Sequence, residues 1–168
     1  YTLTLETRWI GVPQAVCLPG GAVPVTCAAL VDTTLMDLPD LVQAYDCSPA
    51  LLAGGDAWFE LTVPGLHDLG ARATPDTRAP TLDVALWLFD GCGPDAVCLG
   101  FVDARAGGLQ ETLEWENTGA DPVVLYLAVD TRREPDSAVT GAFRLAIDCQ
   151  SNVADEKRSL GSVRALFR

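Results

Sequence analysis

The sequence predicts an all-β fold: an antiparallel β-sandwich, stapled by disulfides, with an extra N-terminal strand and a short C-terminal tail. Three observations carry this. Strand-like runs recur at short spacing between Asp83 and Cys149, at 83–92, 98–103, 109–115, 123–130 and 141–149. Turn residues separate them, and helical periodicity is nearly absent. Cysteines stand at the ends of several runs.

Residues 1–10 alternate. Tyr1, Leu3, Leu5 and Trp9 share one face, and Thr2, Thr4, Glu6 and Arg8 the other, as in a strand with one buried side. A proline- and glycine-rich loop runs from Gly11 to Pro24, and a short apolar run follows over 25–31. Residues 32–56 read as loop, with one helical turn within 37–45. Trp58 to Val63 alternates as a strand. The stretch 64–80 reads as loop with a short strand at 71–74. Two later runs, 84–89 and 123–129, are apolar on both faces and belong at the centre of a sheet covered on both sides. The runs 109–115 and 142–148 each have one polar face; Phe143, Leu145 and Ile147 point to the core, and Arg144 and Asp148 do not. The chain divides into an N-terminal strand and loop (1–24), a sandwich domain (25–149) and a tail (150–168).

The chain has 168 residues, 49% of them hydrophobic and 20% charged, which suits a single packed domain. Its net charge is −12, from 23 acidic and 11 basic side chains. So acidic a chain repels nucleic acid and anionic membranes, and neither is expected as a partner. No apolar run is long enough for a membrane span. The tail carries four basic and two acidic side chains, a net of +2, which leaves residues 1–149 at −14. Lys157 is the one lysine; the other ten basic residues are arginines, a bias that fits a GC-rich bacterial genome.

Six cysteines in an oxidising compartment imply three disulfides. Spacing favours Cys17–Cys27 and Cys92–Cys98 as small loops, leaving Cys47–Cys149 as a long-range tie. The expected location is extracellular or at the cell surface, after removal of a signal or leader.

Four segments together resemble the bacterial pre-peptidase C-terminal (PPC-like) domain: Gly55-Asp-Ala-Trp-Phe-Glu-Leu, Asp83-Val-Ala-Leu-Trp-Leu-Phe-Asp-Gly-Cys, Tyr126-Leu-Ala-Val-Asp and Gly141-Ala-Phe-Arg-Leu-Ala-Ile-Asp-Cys. The resemblance covers about 27–149. It implies a jelly-roll-like sandwich, often beside secreted peptidases, and no catalytic residues.

The inventory argues against catalysis. His67 is the sole histidine, so nucleophilic or zinc chemistry has little to work with. No cofactor is expected. Calcium is the remaining metal candidate, through loop aspartates Asp90, Asp95, Asp130 and Asp136, with Asp103 and Asp148 of the same kind. Trp58, Trp87, Trp115 and Trp9 would form a glycan platform if exposed and core if not. In the tail, Leu160, Val163 and Phe167 form an apolar stripe with Arg164 and Arg168 beside it, a segment suited to docking.

These features point to a secreted, non-enzymatic structural protein. The expected mode is self-assembly into a filament or surface layer by β-strand addition, with Tyr1, Leu3, Leu5 and Trp9 as the inserted side chains. The alternative is a monomeric extracellular binding or accessory module with a glycan or protein ligand.

Overall fold

The computed structural model of the chain describes residues 21–36, 38, 40, 47, 54–93, 95–131 and 140–152. Nine strands occur among them: β1 (Val23–Val25), β2 (Leu30–Thr34), β3 (Ala57–Val63), β4 (His67–Pro75), β5 (Val84–Phe89), β6 (Cys98–Val102), β7 (Glu111–Asn117), β8 (Val123–Thr131) and β9 (Ala142–Ser151). They form two sheets, a five-stranded one ordered β1-β3-β8-β5-β6 and a four-stranded one ordered β2-β9-β4-β7. Every pair is antiparallel except β1 with β3. Only β5 and β6 are consecutive strands paired with each other; the other connections pass between sheets, as in a jelly roll.

The alternation seen in sequence becomes the core. Ala57, Phe59, Leu61 and Val63 of β3, Val84, Leu86 and Leu88 of β5, and Leu125, Leu127 and Val129 of β8 face Leu69, Ala71 and Ala73 of β4, Leu113 of β7, and Phe143, Leu145 and Ile147 of β9. Each large side chain contributes about 1.5–3 kcal/mol by leaving water. The two doubly apolar runs are β5 and β8, interior strands of the five-stranded sheet as expected. Their second face forms a separate cluster of Trp58, Ala85, Trp87, Phe89 and Ala128, joined by Phe101, Ala96, Cys98 and Ala22. Trp58–Phe89 and Trp87–Phe101 are tilted ring pairs at 5.5 and 5.0 Å. The short strand expected at 71–74 lies within a nine-residue one, β4, which also takes in 67–70 and Pro75 from the stretch read as loop. Its alternation is hidden in sequence because Gly70 occupies a polar-face position.

The described disulfides differ from the expected pairs. Cys27 bonds Cys149, and Cys47 bonds Cys98, with Cα separations of 5.3 and 6.0 Å. Cys92 is also oxidised, but not to Cys98. The expected Cys17–Cys27, Cys47–Cys149 and Cys92–Cys98 pairs therefore give way, and Cys17 itself lies outside the described residues. The β2–β9 register explains the first correction. Leu30 faces Ala146, so the same register carried back along β2 sets Cys27 opposite Cys149. This bond closes a segment of 122 residues, which stabilises by about 5 kcal/mol in the chain-entropy model. Cys98 opens β6 among the residues of the outer cluster, so its sulfur is directed to that face and not along the hairpin. The hairpin closes without it: Asp90 N–H donates to the Val97 carbonyl, and Asp90 Oδ1 accepts from Val97 N–H at 2.7 Å.

One end of the sandwich is tied by backbone and amide contacts. Leu66 N–H donates to Gly119 O and Leu66 O accepts from Asn152 N–H, which holds Leu66 at φ 57°. A Cβ at Gly65 would lie 2.0 Å from Ala120 O, so only glycine fits there. Buried Asn117 donates through Nδ2 to Val63 O, Pro64 O and Asp121 O, and accepts from Gly119 N–H through Oδ1.

Two outcomes follow. Non-reducing peptide mapping recovers Cys27–Cys149 and Cys47–Cys98. Replacing Leu66, an exposed side chain held in left-handed backbone, by Gly raises stability by about 1 kcal/mol in thermal or urea unfolding.

Candidate functional site

Three carboxylates lie on the outer face of the five-stranded sheet, at one end. Asp56 precedes β3, Asp83 precedes β5, and Asp130 is the penultimate residue of β8; all three are buried. The strand register places them. Ala57 faces Val129 and Ala85 faces Asp130, so Asp56 continues the β3 ladder toward Asp130. The alternation that sends Ala57, Val84 and Val129 into the core sends their acidic neighbours to the opposite face.

Asp130 is fully buried. Its Oδ1 accepts from the Thr131 N–H at 2.6 Å, and among the described residues no donor reaches Oδ2. Burial, the adjacent charge of Asp56 and a hydrogen bond shared with the Asp56 carboxyl push the Asp130 carboxyl up to about 9; Asp40 adds a smaller repulsion. Two carboxyls this close in an apolar setting hold one proton between them. The chain ahead of Asp56 is packed tightly: a Cβ at Gly55 would lie 2.6 Å from Leu38 and 2.8 Å from Leu35 O.

The expected calcium ligands do not gather. Asp90 follows Phe89, at the far end of β5 from Ala85 and its partner Asp130, about 17 Å away along the strand. Asp90 is engaged by the Val97 amide, Asp95 is exposed in the same hairpin, and Asp136 lies outside the described residues. Among the described residues, no three His, Cys, Asp or Glu side chains converge to hold a metal. Sequence reading picked out Asp130 but missed Asp56 and Asp83. Both directly precede strands, a position from which the register could have placed them on one face.

Trp58 and Trp87 are 5% and 0% exposed, so they are core and offer no sugar-stacking surface. Trp115 packs partly against the main core, and Trp9 lies outside the described residues. His67 is half-buried, and its Nδ1 lies 2.8 Å from the Gly65 carbonyl, which accepts from the Nδ1–H tautomer. Cys27, Cys47, Cys92, Cys98 and Cys149 are all disulfide-bonded, so none of them is a thiolate nucleophile. The assembly strand (Tyr1, Leu3, Leu5, Trp9) and the docking tail (Leu160, Val163, Arg164, Phe167, Arg168) also lie outside the described residues.

Two open grooves mark the four-stranded sheet. One, of about 740 Å³, lies beside the Asp32–Arg144 and Asp76–Arg78 ion pairs. The other, of about 460 Å³, crosses β4, β7 and β9 on the sheet's outer face.

The buried acid pair sets a pH dependence. A carboxyl whose folded pKa is raised favours the fold below the unfolded value of 3.8, and that contribution is lost as pH rises toward 9. Asp130→Asn keeps a donor toward Asp56 and an acceptor for Thr131 without needing the proton. In chelator-treated protein it raises the melting temperature at pH 8, by about 1–3 kcal/mol equivalent, and changes it little at pH 4.

The fold is similar to that of the pre-peptidase C-terminal domain of collagenase from Bacillus anthracis. The likeness has 10% sequence identity, covers 79% of this chain and 99% of that one, and has a TM-score of 0.48. No protein-family model matches the chain, and no curated protein matches it.

Proposed function

We propose that this chain is a non-catalytic extracellular module that assembles with copies of itself by adding a β-strand to the outer edge of β3. The state of that edge is the observation that carries the reading. Among the described residues, β3 is flanked there only by β1, a three-residue strand running parallel in an otherwise antiparallel sheet. It covers Phe59 to Leu61 out of the seven residues of β3, and its central residue, Pro24, has no N–H to donate. Val23 is 52% exposed. So short an edge strand leaves backbone groups for a longer strand to satisfy.

Residues 1–10 supply such a strand in sequence, with Tyr1, Leu3, Leu5 and Trp9 on one face. Donated to a neighbouring copy, it makes a head-to-tail contact, and such a contact extends into a filament when it does not close. The disulfides favour an oxidising compartment and therefore export. The oxidised cysteines and the engaged His67 ring support a role without catalysis. A second reading, a monomeric module with a glycan or protein ligand, is favoured by the two open grooves on the other sheet.

Deleting residues 1–10 separates these readings. Self-assembly predicts filaments or large species of the full chain by electron microscopy and sedimentation. The deletion abolishes them and leaves the β-sheet circular dichroism intact. A full chain that stays monomeric at all concentrations overturns assembly, and a melting temperature that rises with added oligosaccharide then supports the second reading.

A further inference from the structure

The groove across β9, β4 and β7 is acidic for a structural reason. Register sets Gln150, Asp68 and Glu116 in one row, and Asp148, Gly70 and Glu114 in the next. Gly70 leaves the centre of the second row as bare backbone; a Cβ there would lie 2.7 Å from Asp148 Oδ1. Arg72 pairs with Asp148 at 2.6 Å. The remaining three carboxylates, Asp68, Glu114 and Glu116, make no ion pair among the described residues, and Arg72, the cation of the same groove, is taken by Asp148.

Asp68 and Glu116 are directly opposed across the strands, an arrangement of like charges that destabilises a sheet. Asn152 Nδ2 donates to both, at 3.2 and 3.1 Å. An amide satisfies oxygens but neutralises no charge. The groove therefore has an open shape and an electrostatic deficit that a cationic group would remove.

We propose that this groove is the docking surface for the chain's own basic C-terminal segment, Lys157 to Arg168. Charge complementarity and chain continuity identify the occupant. The segment after β9 carries Lys157, Arg158, Arg164 and Arg168, against a net charge of −14 on the rest of the chain. It leaves β9 beside the groove, because Asn152 is the residue that bridges Asp68 and Glu116. Five residues, 153 to 157, span at most about 17 Å when extended. The two rows are about 7 Å apart. Lys157 thus reaches each groove carboxylate from its own strand, and a neighbouring copy presents the same groove. This inference does not depend on strand addition at β3.

Lys157 is the only lysine, so zero-length carbodiimide coupling of the full chain reports on it and on the separately identifiable N-terminal amine. At low ionic strength, Lys157 couples to Asp68, Glu114 or Glu116, with yields falling several-fold in 1 M salt. Mixing ¹⁴N- and ¹⁵N-labelled chains assigns each link to the same copy or a neighbour, and either result supports docking. Links confined to Asp155, Glu156 or carboxylates away from the groove overturn it. The exposed pair Glu114→Gln/Glu116→Gln provides a second test. Docking predicts that trypsin cleaves after Lys157 and Arg158 several-fold faster in this variant than in the unaltered chain at low salt. An unchanged rate overturns the proposal.

Discussion

The rest of the structure depends on one constraint: the central strands of the five-stranded sheet are apolar on both faces. Every residue of β5 is buried, and Trp58, Trp87, Phe89 and Ala128 form a second cluster on the side away from the other sheet. Two sheets can cover only one face of each other. The outer face therefore needs cover that pairing alone cannot provide, and the described chain shows how some of it is obtained. Ala22 approaches from beside β1, Ala96 from the β5–β6 hairpin, and the Cys47–Cys98 bond fixes residue 47 to the sheet's edge strand. Exposing this cluster would place two tryptophans and a phenylalanine in water, at about 1.5–3 kcal/mol or more for each.

The same constraint accounts for the acid pair. Asp56 and Asp130 occupy outer-face positions at the end of strands whose nearest outer-face residues, Trp58 and Ala128, are apolar and buried. Their carboxyls inherit that dry environment. Water does not screen them, so proximity raises the affinity of Asp130 for a proton. The burial that stabilises Trp87 is thus the burial that makes Asp130 costly when ionised. Stability and pH sensitivity have one origin here.

What was legible in the sequence divides along the same line. The doubly apolar runs of β5 and β8 and the alternation of β3 and β9 are local patterns, and each strand appears where its pattern stands. β4 was legible only in part, because Gly65 and Gly70 read as loop residues. Gly65 is required by a contact with Ala120, far away in sequence, and Gly70 by the carboxylate of Asp148. The disulfides follow the same logic. Short spacing suggests local loops, but Cys27 meets Cys149 because β2 lies beside β9, a non-local fact. The acid pair and the acidic groove are likewise products of register, and register comes from pairing between strands distant in sequence. The tryptophans show the remaining limit: alternation places Trp58 on the face opposite the main core, but whether that face is wet depends on what lies over it.

Charge adds a condition on any contact between copies. A body carrying −14 repels its own kind, and the repulsion acts over about 8–10 Å at ordinary ionic strength. Strand addition at β3 brings backbones to about 4.8 Å, well inside that range. Hydrogen bonds along one edge would then work against the field of two acidic bodies. A +2 tail held across the groove on the other sheet would reduce that field without touching the edge. Edge and groove lie on different sheets, so one surface could supply affinity while the other lowers the electrostatic barrier. Salt would then act on the two in opposite directions, weakening tail docking while reducing the repulsion between bodies. Under the proposed roles, the response of assembly to ionic strength therefore measures which of the two contacts limits it.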